Sequence, residues 1–175
     1  MKPQIKSSAL PIAYVSLRIL IVVNWLYGAA ILGLVACTFY DQAWFMRAID
    51  VPASLDPQPI MLGLRAIALL GVCAVPLNHV VLTKLLRMVE TVGRGDPFVA
   101  ANAYRLHAIA WVLVALNLLS MVIGGIGQSI ASKEFPLHLD AGFSINGWLC
   151  VAFAFILARV FAEGTLMRED LEGTV

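Results

Sequence analysis

The sequence predicts an all-α protein, an integral membrane four-helix bundle whose second and third helices extend into a cytoplasmic helical hairpin. Two observations predict this fold. Of the 175 residues, 61% are hydrophobic and only 13% are charged, whereas about 25% are charged in an ordinary soluble domain. The few charges leave four apolar stretches, each long enough to cross a hydrocarbon core about 30 Å thick. Each stretch is predicted to be helical, because lipid cannot bond the backbone polar groups.

The predicted spans form one membrane domain over residues 1–175. They are apolar on all sides, whereas helices of a soluble bundle would carry a polar face at helical spacing. Residues Leu34–Cys37 fit the short pattern read by lipoprotein signal peptidase, but they lie late in a long apolar stretch, which favours a span. In chain order the predicted segments are span 16–40, span 60–83, hairpin 84–107, span 108–132, span 141–160 and tail 161–175.

Lysine and arginine are concentrated on one side of the predicted spans. The other side carries Arg47 and Lys133, with Arg65 inside the second span. Because basic residues accumulate in the cytoplasmic segments of membrane proteins, both termini and the hairpin are predicted to be cytoplasmic. The basic residues of the predicted cytoplasmic side are Lys2, Lys6, Arg18, Lys84, Arg87, Arg94, Arg105, Arg159 and Arg168.

Both loop regions between the first three spans carry local helix signals. The amphipathic stretch 42–49 is predicted to lie in the membrane interface as part of a plain connection, with a ligand-facing lid as the alternative. In the hairpin, the run Gly93-Arg94-Gly95 is predicted to end one helix. Asp96 is predicted to cap the next helix, with Pro97 as its first residue.

Polar residues inside the predicted spans are candidate functional groups, because they are costly in lipid. Arg65 is predicted to form an intramembrane polar clamp with Asp41 or Asp140, which head the outer ends of spans one and four. An anchor for an anionic ligand is the alternative role for Arg65. One amide also lies on each span, and these amides are predicted to hold the helices together. They are Asn24, Asn78, Asn117 and Asn146.

No cofactor, metal site or catalytic centre is predicted. His79 and His107 are expected at different depths, and no HxxxH motif or His/Cys cluster accompanies them. Paired carboxylates and a nucleophile elbow do not stand out either, so the protein is predicted not to be an enzyme. The cysteines lie within spans and form no CxxC pair, which predicts small apolar side chains. They are Cys37, Cys73 and Cys150.

Two motifs carry a family resemblance. The hairpin contains Gly95-Asp96-Pro97-Phe98-Val99-x-x-Asn102-x-x-Arg105-Leu106. The tail contains Phe161-Ala162-Glu163-Gly164-x-x-Met167-x-x-Asp170-Leu171-Glu172-Gly173-Thr174-Val175. Together they resemble a family of uncharacterised bacterial four-span inner-membrane proteins, a domain of unknown function usually encoded beside a small Cro/CI-type helix-turn-helix regulator. The resemblance covers roughly the whole chain, and it supplies no catalytic residues.

The resemblance implies a regulatory or sensory partner of a cytoplasmic helix-turn-helix transcription factor, situated in the bacterial inner membrane. The expected partners are membrane lipid and that regulator, without direct binding of nucleic acid. An acidic tail would suit the basic face of a DNA-reading protein. A small transporter or channel subunit is the alternative, which would require a homo-oligomer because four spans are few for a pore. The predicted docking residues are Asp96, Phe98, Asn102, Arg105, Glu163, Asp170 and Glu172.

Overall fold

The protein is all-helical in a computed structural model that describes residues 9–52, 54–132, 135–137 and 139–172, and only the backbone of residues 9, 171 and 172. No strand occurs in these ranges. The predicted four-helix fold is confirmed, and the four long helices have the length and apolar composition of a multi-pass membrane protein. The helices are α1 (Ala9–Tyr40), α2 (Gln42–Ala48), α3 (Pro57–Gly93), α4 (Ala100–Ile130) and α5 (Ile145–Glu172).

Aspartates cap the two helices that follow α1. The Asp41 carboxylate accepts the backbone N–H of Trp44 at 2.8 Å and so starts α2, which occupies the predicted interfacial stretch. Asp56 caps α3 in the same way by accepting from the N–H of Gln58 at 3.0 Å. Pro57 then takes the first helical position, where a missing N–H costs nothing.

The connector between α3 and α4 departs from the expected helix start. The glycines end α3 as predicted, since α3 ends at Gly93 and Gly95 has a left-handed φ of 89°. The predicted cap at Asp96 is wrong, because α4 begins only at Ala100. Val99 precedes α4 in an extended conformation and gives it no side-chain cap within the described chain. The Asp96 side chain is therefore free of the helix start and bonds to α5 instead.

The long helices are arranged in an open bundle in chain order. Helix α1 packs against α3, α3 against α4 and α4 against α5, while α2 rests on the end of α1. Most large apolar side chains on α1 and α5 point outward, including Leu26 and Phe153. In water such surfaces would aggregate, whereas in a bilayer they are solvated by lipid tails.

Glycines set the closest approaches between the helices. Gly28 of α1 faces Val75 of α3, where an added Cβ would lie 3.0 Å from the valine Cγ2. Gly147 of α5 faces the side chain of Asn117, and an added Cβ there would collide with its Oδ1. Small residues stabilise membrane helix pairs by letting the backbones approach, since lipid offers little hydrophobic driving force.

Helix α5 begins beside the middle of α4 rather than at its end, and the chain between the two helices folds back along α4. Gly147 is level with Asn117, so α4 runs on for thirteen residues, about 20 Å, past this point. The returning segment is held where the N–H of Gly142 donates to Ser120 Oγ at 3.2 Å. Gly124, one turn further along α4, lies directly against the backbone of residues 141 and 142.

The contact at Gly124 predicts a sharp difference between neighbouring glycines. A Cβ at Gly124 would lie 2.7 Å from the carbonyl oxygen of Ala141, a backbone atom that cannot move aside alone. We expect Gly124→Ala to lower the unfolding free energy by about 1–3 kcal/mol. A Cβ at Gly125 meets nothing within 4 Å, so Gly125→Ala serves as the matched control and should retain native stability. Thermal unfolding in detergent measures both, and equal midpoints would contradict the packing described.

Candidate functional site at the connector end

Asn102 holds the connector together from inside. We use "connector end" for the end of the bundle that carries residues 94–99, the start of α1 and the end of α5. Asn102 is fully buried, and its Nδ2 donates to Thr91 Oγ1 and to the carbonyl oxygen of Pro97, both at 2.8 Å. One side chain thereby joins the last turn of α3, the connector and the first turn of α4.

Arg105 completes this network on the solvent side. Its Nη1 donates to Asn102 Oδ1 at 2.7 Å and to the carbonyl oxygen of Arg87 at 3.5 Å. The Asn102 side chain therefore has partners for its amide and its carbonyl group, as a buried polar group requires. Through these hydrogen bonds, Asn102 and Arg105 fix the conformation of the connector.

The hairpin motif and the tail motif lie against each other. The Phe98 ring packs on Phe161 with 5.3 Å between ring centroids. It also lies so close to Gly164 that a Cβ there would be 2.8 Å from the ring Cδ1. Beyond this contact, Arg168 Nη1 donates to the Asp96 carboxylate at 2.9 Å. The two motifs that carry the family resemblance thus form a single contact between the connector and α5.

A groove opens beside this contact, between α4 and α5. Its volume is about 670 Å³. Small side chains form its floor, and they leave the space between the two helices unfilled. A second recess of about 310 Å³ adjoins it next to Asp96 and Phe98, and Glu169 lines both. The groove also contains Tyr104, which is 77% exposed, and His107. The small residues are Ala100, Ala103, Ala158 and Ala162.

The predicted docking residues differ in how far a partner could reach them. Asp96 is exposed and Phe98 is 41% exposed, so both offer surface beside the groove. Asn102 is inaccessible, because none of its surface reaches solvent. Glu163 is exposed but pairs with Arg159 at 2.7 Å, one turn earlier on α5.

The remaining predicted docking residues lie at the end of α5. Asp170 is exposed at the connector end, and it also takes part in an interaction within the chain. Of Glu172 only the backbone is described, and residues 173–175 lie outside the described chain. The tail therefore contributes the end of helix α5 and its exposed carboxylates to the connector end.

Arg65 binds Thr38 rather than the expected carboxylates. Its Nη2 donates to the Thr38 carbonyl oxygen at 2.6 Å, its Nε donates to Thr38 Oγ1 at 3.1 Å, and the guanidinium stacks on Phe39. No ion pair of Arg65 with Asp41 or Asp140 occurs among the described residues, and Asp41 caps α2 instead. The arginine thus joins α3 to the last turn of α1 through backbone and hydroxyl oxygens.

His79 and His107 each accept a hydrogen bond from a tryptophan. Trp25 Nε1 donates to His79 Nδ1 across the α1–α3 contact at 3.2 Å. Trp111 Nε1 donates to His107 Nε2 along α4 at 3.1 Å. Within the described ranges, no group of three His, Cys, Asp or Glu side chains is placed to hold a metal ion.

Some residues of the site carried a signal that the sequence interpretation did not use. Ala154, Ala158 and Ala162 recur at intervals of four on α5, the spacing that marks close helix packing in membranes. Thr91 and Arg168 had no such signal, because their partners lie 11 and 72 residues away in the chain. Only the folded connector brings them to Asn102 and Asp96.

These features define a multi-pass helical membrane protein with a structured connector end. The chain belongs to the family described as a protein of unknown function (DUF2975), which matches residues 24–175 and therefore includes both motifs. No curated protein and no solved structure matches the chain. Family membership agrees with the predicted resemblance to a domain of unknown function.

The buried amide of Asn102 predicts a large stability effect. Asn102→Ala leaves Thr91 and the Pro97 carbonyl without their donor and opens a small cavity, so we expect a loss of about 2–3 kcal/mol. Glu163→Ala removes an exposed ion pair and should cost less than about 1 kcal/mol. Denaturant unfolding in mild detergent compares the two variants. A loss for Asn102→Ala no larger than that for Glu163→Ala would contradict the bridging role.

Proposed function

We propose that this protein is a non-enzymatic bacterial inner-membrane protein that acts as the regulatory partner of a cytoplasmic helix-turn-helix transcription factor. The groove between α4 and α5 at the connector end carries this proposal. It is the place where the two family motifs adjoin an open apolar surface. Its walls continue the membrane helices, so a change within the bundle would alter the shape offered to the regulator.

The distribution of charge supports a cytoplasmic connector end. Among the described residues, most basic side chains lie at this end or on the helix turns beside it, whereas the α2 end carries Arg47 and Arg65. By the positive-inside tendency this arrangement favours the connector end inside the cell. The residues concerned are Arg18, Lys84, Arg87, Arg94, Arg105, Arg159 and Arg168.

The chemistry of the groove suits an amphipathic helix with basic residues. Its floor is apolar, and Leu166 projects beside it with 60% exposure. Of the two charged residues in its lining, Arg159 is paired with Glu163, whereas Glu169 supplies a carboxylate at its end. Such a groove takes apolar side chains at helical spacing, and the carboxylate attracts a basic residue next to them. A DNA-binding protein presents basic surface of this kind, so docking here would compete with DNA for it.

Cysteine labelling tests the orientation. In a parent without native cysteines, Ala101→Cys places an exposed thiol on the first turn of α4, and Gln58→Cys places one at the start of α3. We expect a membrane-impermeant maleimide to label Gln58→Cys in intact spheroplasts and Ala101→Cys only after permeabilisation. The reverse pattern would place the groove outside the cell and exclude a cytoplasmic regulator.

Filling the groove tests the docking. Ala103→Trp puts a large ring into the groove, whereas Ala101→Trp, two residues away on α4, lies outside its lining and serves as the matched control. We expect Ala103→Trp to weaken binding of the proposed helix-turn-helix regulator by about tenfold or more, equivalent to ~1.4 kcal/mol. As a separate variant, Glu169→Lys should also weaken this binding at low salt, because the new lysine repels a basic partner.

Co-purification from detergent and titration of the regulator give the measurement. Unchanged thermal unfolding of Ala103→Trp establishes that the helices still pack. Equal binding by the wild type, Ala103→Trp and Glu169→Lys would exclude the groove as the docking surface. Absence of binding by the wild type would exclude the regulator as a partner.

A further inference from the structure

Four amides, one from each long helix, lie in one layer across the bundle. The bond between Asn102 and Thr91 fixes the antiparallel register of α3 and α4. Counting fifteen residues from this bond along each helix places Asn117 level with residue 76 of α3. Asn78 is two residues from that level, a difference of about 3 Å along the helix axis.

The other two amides reach the same layer through direct contacts. The residue after Asn24 bonds the residue after Asn78, because Trp25 Nε1 donates to His79 Nδ1. Asn146 precedes the glycine that faces Asn117. The layer lies inside the apolar part of the bundle, since Asn78 is six residues, about 9 Å, from Lys84.

Two amides of this layer are satisfied within the chain. Asn24 Nδ2 donates to the carbonyl oxygen of Val75 at 3.0 Å and so joins α1 to α3. Asn117 Nδ2 donates to the carbonyl oxygen of Leu113 at 2.9 Å. Asn146 stands in the first turn of α5, where free backbone N–H groups make polar surroundings ordinary.

Asn78 has none of these explanations. It lies in the middle of α3, its side chain is exposed, and it makes no hydrogen bond in the part of the chain that the structure describes. An amide with two donors and an acceptor facing lipid is costly, and membrane helices resolve this cost by bonding across an interface.

We propose that a second copy of this chain covers Asn78, so that the protein is a symmetric dimer in the membrane with the two Asn78 amides bonded to each other. Two copies inserted in the same direction are related by a two-fold axis along the membrane normal. Such an axis brings every residue to the depth of its counterpart. An amide is self-complementary, and Ala74, one turn away on the same face, is small enough for close approach.

Disulfide crosslinking in liposomes tests the dimer. The parent lacks the native thiols of Cys37, Cys73 and Cys150, all of which are exposed in the described monomer. Ala74→Cys places one thiol beside Asn78. Leu69→Cys lies nine residues before Asn78, on the opposite side of α3, and serves as the matched control. We expect purified Ala74→Cys to form a crosslinked dimer on oxidation and Leu69→Cys to remain monomeric.

The amide itself is tested in the Ala74→Cys parent. Asn78→Leu should raise the dimer dissociation constant about tenfold, because it removes the interhelical hydrogen bonds. Asn78→Gln keeps the amide and should retain most of the crosslink. No crosslink, equal crosslinking at positions 69 and 74, or a crosslink unaffected by Asn78→Leu would each overturn the proposal. Crosslinking in cells to another protein, without self-crosslinking of the purified chain, would assign Asn78 to a different partner and overturn it as well.

Discussion

Lipid tails cannot bond a peptide group, and this constraint determines most of the structure. Each apolar stretch must satisfy its own backbone, so it becomes a helix longer than a typical soluble one. Lipid tails are also as apolar as the side chains, so the hydrophobic effect supplies little force between the helices. The helices therefore meet at glycines such as Gly28 and Gly147 and through single polar contacts such as Arg65 with Thr38.

The helices could be predicted from the sequence because their cause is local. The lengths of the apolar stretches predicted the four long helices, and the glycines at 93 and 95 marked the end of α3. Asp96 shows where local reasoning stops. Its place before Pro97 fits a helix cap, yet Arg168, 72 residues away, takes its carboxylate. Arg65 is a similar case, since a buried threonine at the end of α1 satisfies it without a charge.

The candidate site combines predicted and unpredicted parts for the same reason. The motif residues were found from the sequence, but the structure divides them into two roles. Asn102 and Arg105 shape the connector from within, whereas Asp96 and Phe98 remain accessible beside the groove. The groove itself depends on small side chains from both α4 and α5 and on the spacing between these two helices. No single sequence motif encodes the spacing between two helices.

The backward path of the chain before α5 has a consequence for biogenesis. Helix α5 leaves the ribosome after α4, and its start is fixed by a segment that rests on Ser120 and Gly124 of α4. Helix α4 therefore serves as the template on which α5 is positioned. Insertion of α5 into the bilayer and its correct seating are separate events, and the second must wait until α4 stands in place.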